Sequence, residues 1–171
     1  MTTVFTLREW RDDDVDSLVN ALNNKNISKN LRDSLPQPYT PEDAKIWIEK
    51  NKSIAPSTNF AIAINDFAVG AIGIVLLKDA ENMNAELGYW LAENYWNQGI
   101  ISEAVNQMVA YTFKTFPVNK MLACVFETNK TSMRVLKKCG FKLEIVLKNH
   151  VLKNGVVMDE FRFLLSKPTL V

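Results

Sequence analysis

The sequence predicts an α/β (α+β) fold carried by one domain over residues 1–171, and three observations support it. β-type runs and amphipathic helical runs succeed one another along the chain. Two hairpin signals, Asn65-Asp66 and Asn154-Gly155, each separate a pair of β-type runs. A length of 171 residues, 47% apolar and 23% charged, suits a single hydrophobic core. No internal repeat, low-complexity tract or linker interrupts the chain.

Val4–Arg8 alternates as a short strand, with Thr6 and Arg8 on one side. Asp12-Asp-Asp14 then opens a helix whose apolar positions Val15, Leu18, Val19 and Leu22 follow helical spacing, with acidic residues suited to the positive end of its dipole. Residues 23–40 are rich in Asn, Pro and Ser and read as a long functional connection with one helical turn around Ile27–Leu31. Thr40-Pro-Glu-Asp43 is a helix start, with Thr as N-cap and Pro at the first position, and that helix runs to Lys52. Strands follow at Phe60–Ile64, Phe67–Leu77 and Asn84–Leu91. Ser102–Phe116 is an amphipathic helix stopped by Pro117, Met121–Phe126 a buried strand, and Thr131–Cys139 a helix ended at Gly140. Phe141–Val151 and Met158–Leu165 close the fold around Asn154-Gly155.

The bulk properties narrow the partners. Twenty basic against nineteen acidic residues give a net charge of +1, which does not advertise a nucleic-acid or membrane-surface binder. The most apolar stretch, Phe67–Leu77, is far shorter than the roughly 20 residues that span a bilayer. The first ten residues lack a basic segment followed by an apolar run, so the expected location is cytoplasmic. Cys124 and Cys139 lack metal-ligand spacing and read as reduced core thiols, and no metal site is expected. No exposed apolar stripe announces an oligomeric state.

Two segments could carry chemistry. Trp96-Asn-Gln-Gly-Ile-Ile-Ser102 lies between a strand and a helix. Its glycine allows close backbone approach, and the first helical amides form an anion site fit for a pyrophosphate. A plain strand-to-helix turn is the alternative. The segment carries neither the Lys-Ser/Thr of a P-loop nor G-x-G-x-x-G. Asn129–Phe141 follows a buried strand, and Asn129 could both cap the next helix and reach into a cleft. A capped surface helix with a basic face of Arg134, Lys137 and Lys138 is the alternative there.

Taken together the segments resemble a known family. Asn129-x-x-Ser-x-Arg-Val-Leu-x-Lys-x-Gly-Phe141 is similar to the second signature of the GNAT N-acetyltransferase superfamily. Leu87-Gly-Tyr-Trp-Leu91 with Trp96-x-x-Gly-Ile-Ile-Ser-Glu-Ala104 resembles its first signature. Leu7-Arg8, Asp14, Pro38–Ala44, Lys153-Asn-Gly155 and Asp159 match the ribosomal-protein N-terminal acetyltransferase (RimJ/RimL-like) branch. The resemblance implies a mixed, mostly antiparallel curved sheet with splayed central strands and helices on both faces, and acetyl-CoA as acetyl donor. It assigns backbone groups of Trp90 and Leu91 to the pantetheine arm, the amides of Gln98, Gly99, Ile100, Ile101 and Ser102 to the pyrophosphate, and Asn129 to the arm near the thioester. It also sets Arg32, Asp33 and Tyr39 of the long connection on the acceptor side. The chain departs from the superfamily pattern at Trp96 and Ile101, and at Leu136, where many members carry a proton-donating Tyr.

The reaction implied is direct attack of a neutral primary amine (a protein N-terminus, an amino acid or a small amine) on the thioester. Glu86, on the strand before the first signature and alternating onto one face with Gly88 and Trp90, is the candidate base, with a charged strand end as the plainer alternative. Ser132, a turn into its helix, is the nearest hydroxyl to replace the missing Tyr, unless it only bonds a backbone carbonyl. His150, the one histidine, reads as exposed or structural. A chain that binds acetyl-CoA without catalysing transfer is the competing function.

Overall fold

The computed structural model describes residues 3–168. In chain order it forms β1 (Thr6–Arg8), α1 (Val15–Leu22), α2 (Lys25–Ser28), α3 (Pro41–Lys52), β2 (Asn59–Ile64), β3 (Phe67–Leu76) and β4 (Asn84–Leu91). α4 (Ile100–Thr115), β5 (Lys120–Phe126), α5 (Lys130–Lys138), β6 (Lys142–Lys153) and β7 (Val156–Ser166) follow. The seven-stranded sheet has the order β1-β2-β3-β4-β5-β7-β6. β4 and β5 are parallel, while β1 with β2, β2 with β3, β5 with β7 and β6 with β7 are antiparallel. The sheet is therefore mixed and mostly antiparallel, as the family resemblance implies.

Local chemistry explains most element ends. Asn65 and Asp66 take φ of 47° and 71°, and Asn154 and Gly155 take 50° and 79°. Two consecutive left-handed residues match the twist of the strands they join, which is why Asn, Asp and Gly stand there. Thr40 Oγ1 accepts from Asp43 N at 3.2 Å, and Thr40 N donates back to Asp43 Oδ2 at 2.9 Å. This reciprocal cap starts α3 where the sequence places it. The single turn expected at Ile27–Leu31 falls instead at α2, because Asn24 caps it through Asn26 N. α4 begins at Ile100, two residues before the expected start, so Gly99 immediately precedes the helix.

The chain divides into two compact units, Met1–Gly73 with Tyr89–Ala104, and Ile74–Gly88 with Val105–Val171. In the first unit, Trp10, Leu18, Leu22, Tyr39, Ile48 and Ala61 belong to one buried cluster, against which Trp47 and Trp90 pack. Trp10 meets Trp47 edge-on at 4.8 Å and donates its indole N–H to Asn59 Oδ1 at 3.0 Å. Asp14 does not sit at an exposed helix start. It is buried, accepts from both terminal nitrogens of Arg8 at 2.7 and 2.8 Å, and accepts from Arg11 N at 2.9 Å. A bidentate partner and a backbone donor offset the cost of burying that carboxylate.

In the second unit, Val105, Met108, Met121, Ala123, Leu136 and Phe163 are fully buried or nearly so. Strand alternation separates Met121, Ala123 and Val125, all buried, from Leu122 and Cys124 on the opposite face of β5. Both cysteines are free and half-buried rather than core residues. No helix among the described residues is long and apolar enough to cross a membrane.

Candidate active site

Of the first-signature residues, Tyr89–Leu91 at the end of β4 and Trp96–Ala104 at the start of α4 lie within the first unit. Leu77 N donates to Asn84 O at 3.0 Å, and Ala92 N donates to Val69 O at 2.7 Å. Both bonds belong to one register, so even-numbered residues of β4 turn their backbone groups toward β3 and odd-numbered ones away. Trp90 is even. Its carbonyl oxygen lies 2.6 Å from where a Cβ on Gly70 would stand, so a side chain at Gly70 would collide with it. Its backbone therefore faces β3 and not a ligand, which corrects the expectation for Trp90; its side chain packs on the buried cluster. The backbone groups directed away from β3 are those of Tyr89 and Leu91. The Leu91 carbonyl also accepts from the Trp96 indole N–H at 2.7 Å, which gives Trp96 a structural task.

Beyond a single turn at Glu93–Tyr95, Asn97 and Gly99 take left-handed φ of 61° and 79°. The first helical bond of α4 runs from Glu103 N to Gly99 O at 3.1 Å. The amides of Ile100, Ile101 and Ser102 thus precede the helical ladder, at the positive end of a 16-residue helix. A Cβ on Gly99 would meet no heavy atom within 4 Å, so the backbone here is open to close approach by a ligand. Gln98 is exposed and held by two bonds, donating from Nε2 to Asn94 O at 3.1 Å and accepting from Thr3 Oγ1 at 2.6 Å. Ile100 is buried and anchors the helix start. A diphosphate suits this helix start: open backbone at Gly99, the positive end of the α4 dipole and no carboxylate in the segment 96–102.

The acceptor-side expectations divide. Arg32 and Asp33 are both exposed, in a turn where Leu35 N donates to Arg32 O at 3.1 Å. Tyr39 is only 4% exposed and lies in the buried cluster of the first unit. Burial, with Asp43 nearby, pushes its phenol up to about 12. Its backbone is clamped by Asn23, which accepts from Tyr39 N and donates to Tyr39 O, both at 2.8 Å. Tyr39 is a core residue, and its assignment to acceptor binding is corrected. Glu93 ties the same connection to the end of β4, accepting from Asn24 Nδ2 at 3.0 Å and from Asn26 Nδ2 at 3.0 and 3.2 Å. Those bonds hold its carboxyl below the usual range.

The remaining candidates lie in the second unit. The β4–β5 register ends at Glu86 opposite Leu122. Cys124 pairs with Arg162 and Phe126 with Glu160, so alternation gathers Glu86, Cys124, Arg162 and Glu160 on one sheet face. The Cys124 thiol reports the arrangement. Burial first, then the charges of Glu86 and Glu160, push it up to about 11 against an opposing hydrogen bond from Arg162. Asn129 caps α5 through Oδ1, which accepts from Ser132 N at 3.1 Å. Capping uses only the oxygen, so the amide nitrogen is the part that can serve a ligand. Ser132 is half-buried on the first turn of the same helix. Leu136 is 0% exposed, because that helical position points into the core. Arg162 and Glu160 have no signal in the sequence and Cys124 reads there only as a core thiol, since the β4–β5 and β5–β7 registers are what gather them on the face of Glu86. Among the described residues no group of three or more His, Cys, Asp and Glu side chains could hold a metal ion.

Comparison with known proteins places this geometry. The acetyltransferase (GNAT) domain family matches residues 5–142. The uncharacterized N-acetyltransferase p20 of Bacillus licheniformis is 28% identical over 172 residues, covering 97% of this chain and 94% of that protein. The ribosomal-protein-serine acetyltransferase of Escherichia coli is 31% identical over 90 residues, 52% of this chain and 50% of that protein. Among solved structures, Mycobacterium smegmatis RimJ in complex with CoA-disulfide superposes with a TM-score of 0.83 at 20% identity, covering 96% of this chain and 83% of that one.

Proposed function

Because the chain belongs to the GNAT acetyltransferase family and is an acetyl-CoA-dependent N-acetyltransferase, we propose that it is of the RimJ/RimL-like branch and that its acceptor is an α-amine, on a protein N-terminus or an amino acid. Residues 1–171 act in this reading as one acetyltransferase domain. The observation that carries it is the start of α4, where open backbone at Gly99 meets three amides ahead of the first helical bond.

Gln98, Gly99, Ile100, Ile101 and Ser102 hold the pyrophosphate in this proposal, and the Tyr89 and Leu91 backbone meets the pantetheine arm in place of Trp90. Asn129 turns its amide nitrogen to the same ligand while its oxygen caps α5. Acetyl-CoA supplies the activated acetyl carbon; the chain supplies position and proton transfer. Glu86 takes a proton from the incoming ammonium, and Ser132 donates toward the departing sulfur. Arg32 and Asp33 contact the remainder of the acceptor.

An α-amine is favoured on physical grounds. With a pKa of about 8 against about 10.4 for a lysine, roughly a quarter of it is neutral at pH 7.5, a fraction about 200-fold larger. A lone carboxylate base is then sufficient. The E. coli relative, named for a ribosomal-protein serine, supports the same class.

The deciding experiment follows free thiol released from acetyl-CoA with N-terminal peptides, amino acids, polyamines and ε-acetylatable peptides. Turnover confined to α-amines is expected, and preference for a lysine or a polyamine would replace the acceptor class. Glu86→Gln should lower kcat about a hundredfold, as loss of a general base does, and leave acetyl-CoA binding intact. Wild-type turnover in that variant would remove Glu86 as the base.

A further inference from the structure

The reaction described above leaves one buried carboxylate of the second unit without a task. Glu160 is 2% exposed on β7 and faces Phe126 of β5 and Leu147 of β6 in register. Its neighbours on that sheet face are Cys124 and Arg162, with Glu86 beyond. From β6 comes His150, whose Nε2 lies 4.0 Å from Glu160 Oε1 and whose side chain is 51% exposed.

Regular alternation does not bring His150 there. Between the pairs Leu147 with Glu160 and Val151 with Met158, β6 has three residues where β7 has only Asp159. Asn149 takes a left-handed φ of 48° in this bulge. Asp159 holds the distortion, accepting from Asn149 N at 3.0 Å and from Lys148 Nζ at 2.6 Å. Its own backbone is fixed by Glu127, whose carboxylate accepts from Asp159 N at 3.1 Å and whose N–H donates to Asp159 O at 3.0 Å. A bulge of this kind re-aims a side chain. Here it brings the chain's one imidazole to the buried Glu160 carboxylate, on the face that carries Glu86.

We propose that His150, oriented by Glu160, passes the proton released in acetyl transfer from this sheet face to solvent. The inference rests on the reading of the chain as an amine acetyltransferase with Glu86 on the acceptor side. The balance requires such an exit. An ammonium acceptor loses two N–H protons as the C–N bond forms, the sulfur of the broken C–S bond takes up one, and one leaves per turnover. Carboxylates exchange protons poorly near neutrality, whereas the imidazole is the side chain suited to carry protons there. A half-exposed ring reaches buffer, and the Glu160 carboxylate stands 4.0 Å from its Nε2 on the buried side. Glu160 of β7 faces the ring, the Lys148–Asp159 pair flanks the bulge, and Arg162 of β7, Cys124 of β5 and Glu86 of β4 follow along the same sheet face. His150 is in this sense a positioned relay and not the base that meets the amine.

As the chain has one histidine, NMR of the ligand-free protein reports His150 alone. Removing the carboxylate beside the ring changes the ring's surroundings, so at fixed pH Glu160→Gln should shift the His150 ring resonances and weaken their NOEs to β7 protons. Unchanged ring resonances and NOEs would overturn the pairing whatever the acceptor. With the best acceptor, His150→Gln should cut kcat about tenfold in weak buffer, below the effect of losing the base itself, with KM for acetyl-CoA unchanged. Free imidazole should restore the rate of His150→Ala in proportion to its concentration. Wild-type kcat in His150→Gln, or no response of His150→Ala to imidazole, overturns the relay alone. A wild-type chain that releases thiol with no amine overturns the acetyltransferase reading and the relay together.

Discussion

Replacing Gly99 by alanine separates what the α4 start does for the fold from what it does for the ligand. Gly99 has a φ of 79°, where an L side chain costs about 1–2 kcal/mol. No protein atom lies within 4 Å of the added methyl, so no steric cost adds to the backbone one. For a chain of this size, that cost lowers Tm by about 2–8 °C. A ligand that approaches the bare backbone would meet the methyl directly. Acetyl-CoA at a hundred times its Kd stabilises the folded state by about 2.7 kcal/mol, and a tenfold weaker Kd reduces this to about 1.4 kcal/mol. The ligand-induced shift in Tm should therefore fall to about half. Gly155→Ala is the matched control, since Gly155 has the same φ of 79° and equally open surroundings, but sits in the β6–β7 turn. Differential scanning fluorimetry of the three proteins, with and without acetyl-CoA, measures both effects. Equal ligand-induced shifts in Gly99→Ala and wild type would refute the assignment of this glycine to the pyrophosphate.

Asn129 permits a similar separation: Asn129→Ala loses the cap and about 1 kcal/mol of stability, whereas Asn129→Ser keeps a capping oxygen and should raise only the KM for acetyl-CoA. Equal KM values for Asn129→Ser and wild type would restrict Asn129 to capping. Asp159 gives a pH signature. Its carboxyl is held below the usual range first by Lys148, then by the Asn149 amide, so the stability it contributes is present above the unfolded value near 3.9 and lost as pH falls through the folded one. The urea-midpoint difference between wild type and Asp159→Asn should be full at pH 7 and shrink as the pH falls below the unfolded value. A difference that persists undiminished in acid would mean that the ionised carboxylate does not hold the bulge.

Much of the architecture was legible because its causes are local. Asn65-Asp66, Asn154-Gly155 and Thr40-Pro-Glu-Asp43 act through their own backbone preferences, and each forms the turn or cap expected of it. Asn129 likewise caps its helix whatever lies around it. Tyr39 was misread for the complementary reason. An aromatic residue in a polar, proline-rich connection looks exposed, yet Asn23 folds that connection back and the ring enters the cluster with Trp10 and Leu18. Trp90 was misread by one residue of strand phase, which only the pairing of β4 with β3 could supply.

The sequence by itself determined the order of elements, the family, and the glycine-bearing helix start that suits an anion, because short-range backbone conformation and apolar spacing are written in consecutive residues. Only the tertiary structure decided which side of β4 each backbone amide faces, which carboxylates share a sheet face, and that a β6 bulge brings His150 to Glu160. Those outcomes depend on register between strands distant in the chain. A shift of one residue would reverse every side chain on the strand, and nothing in the local sequence around Glu86 or Glu160 sets that phase.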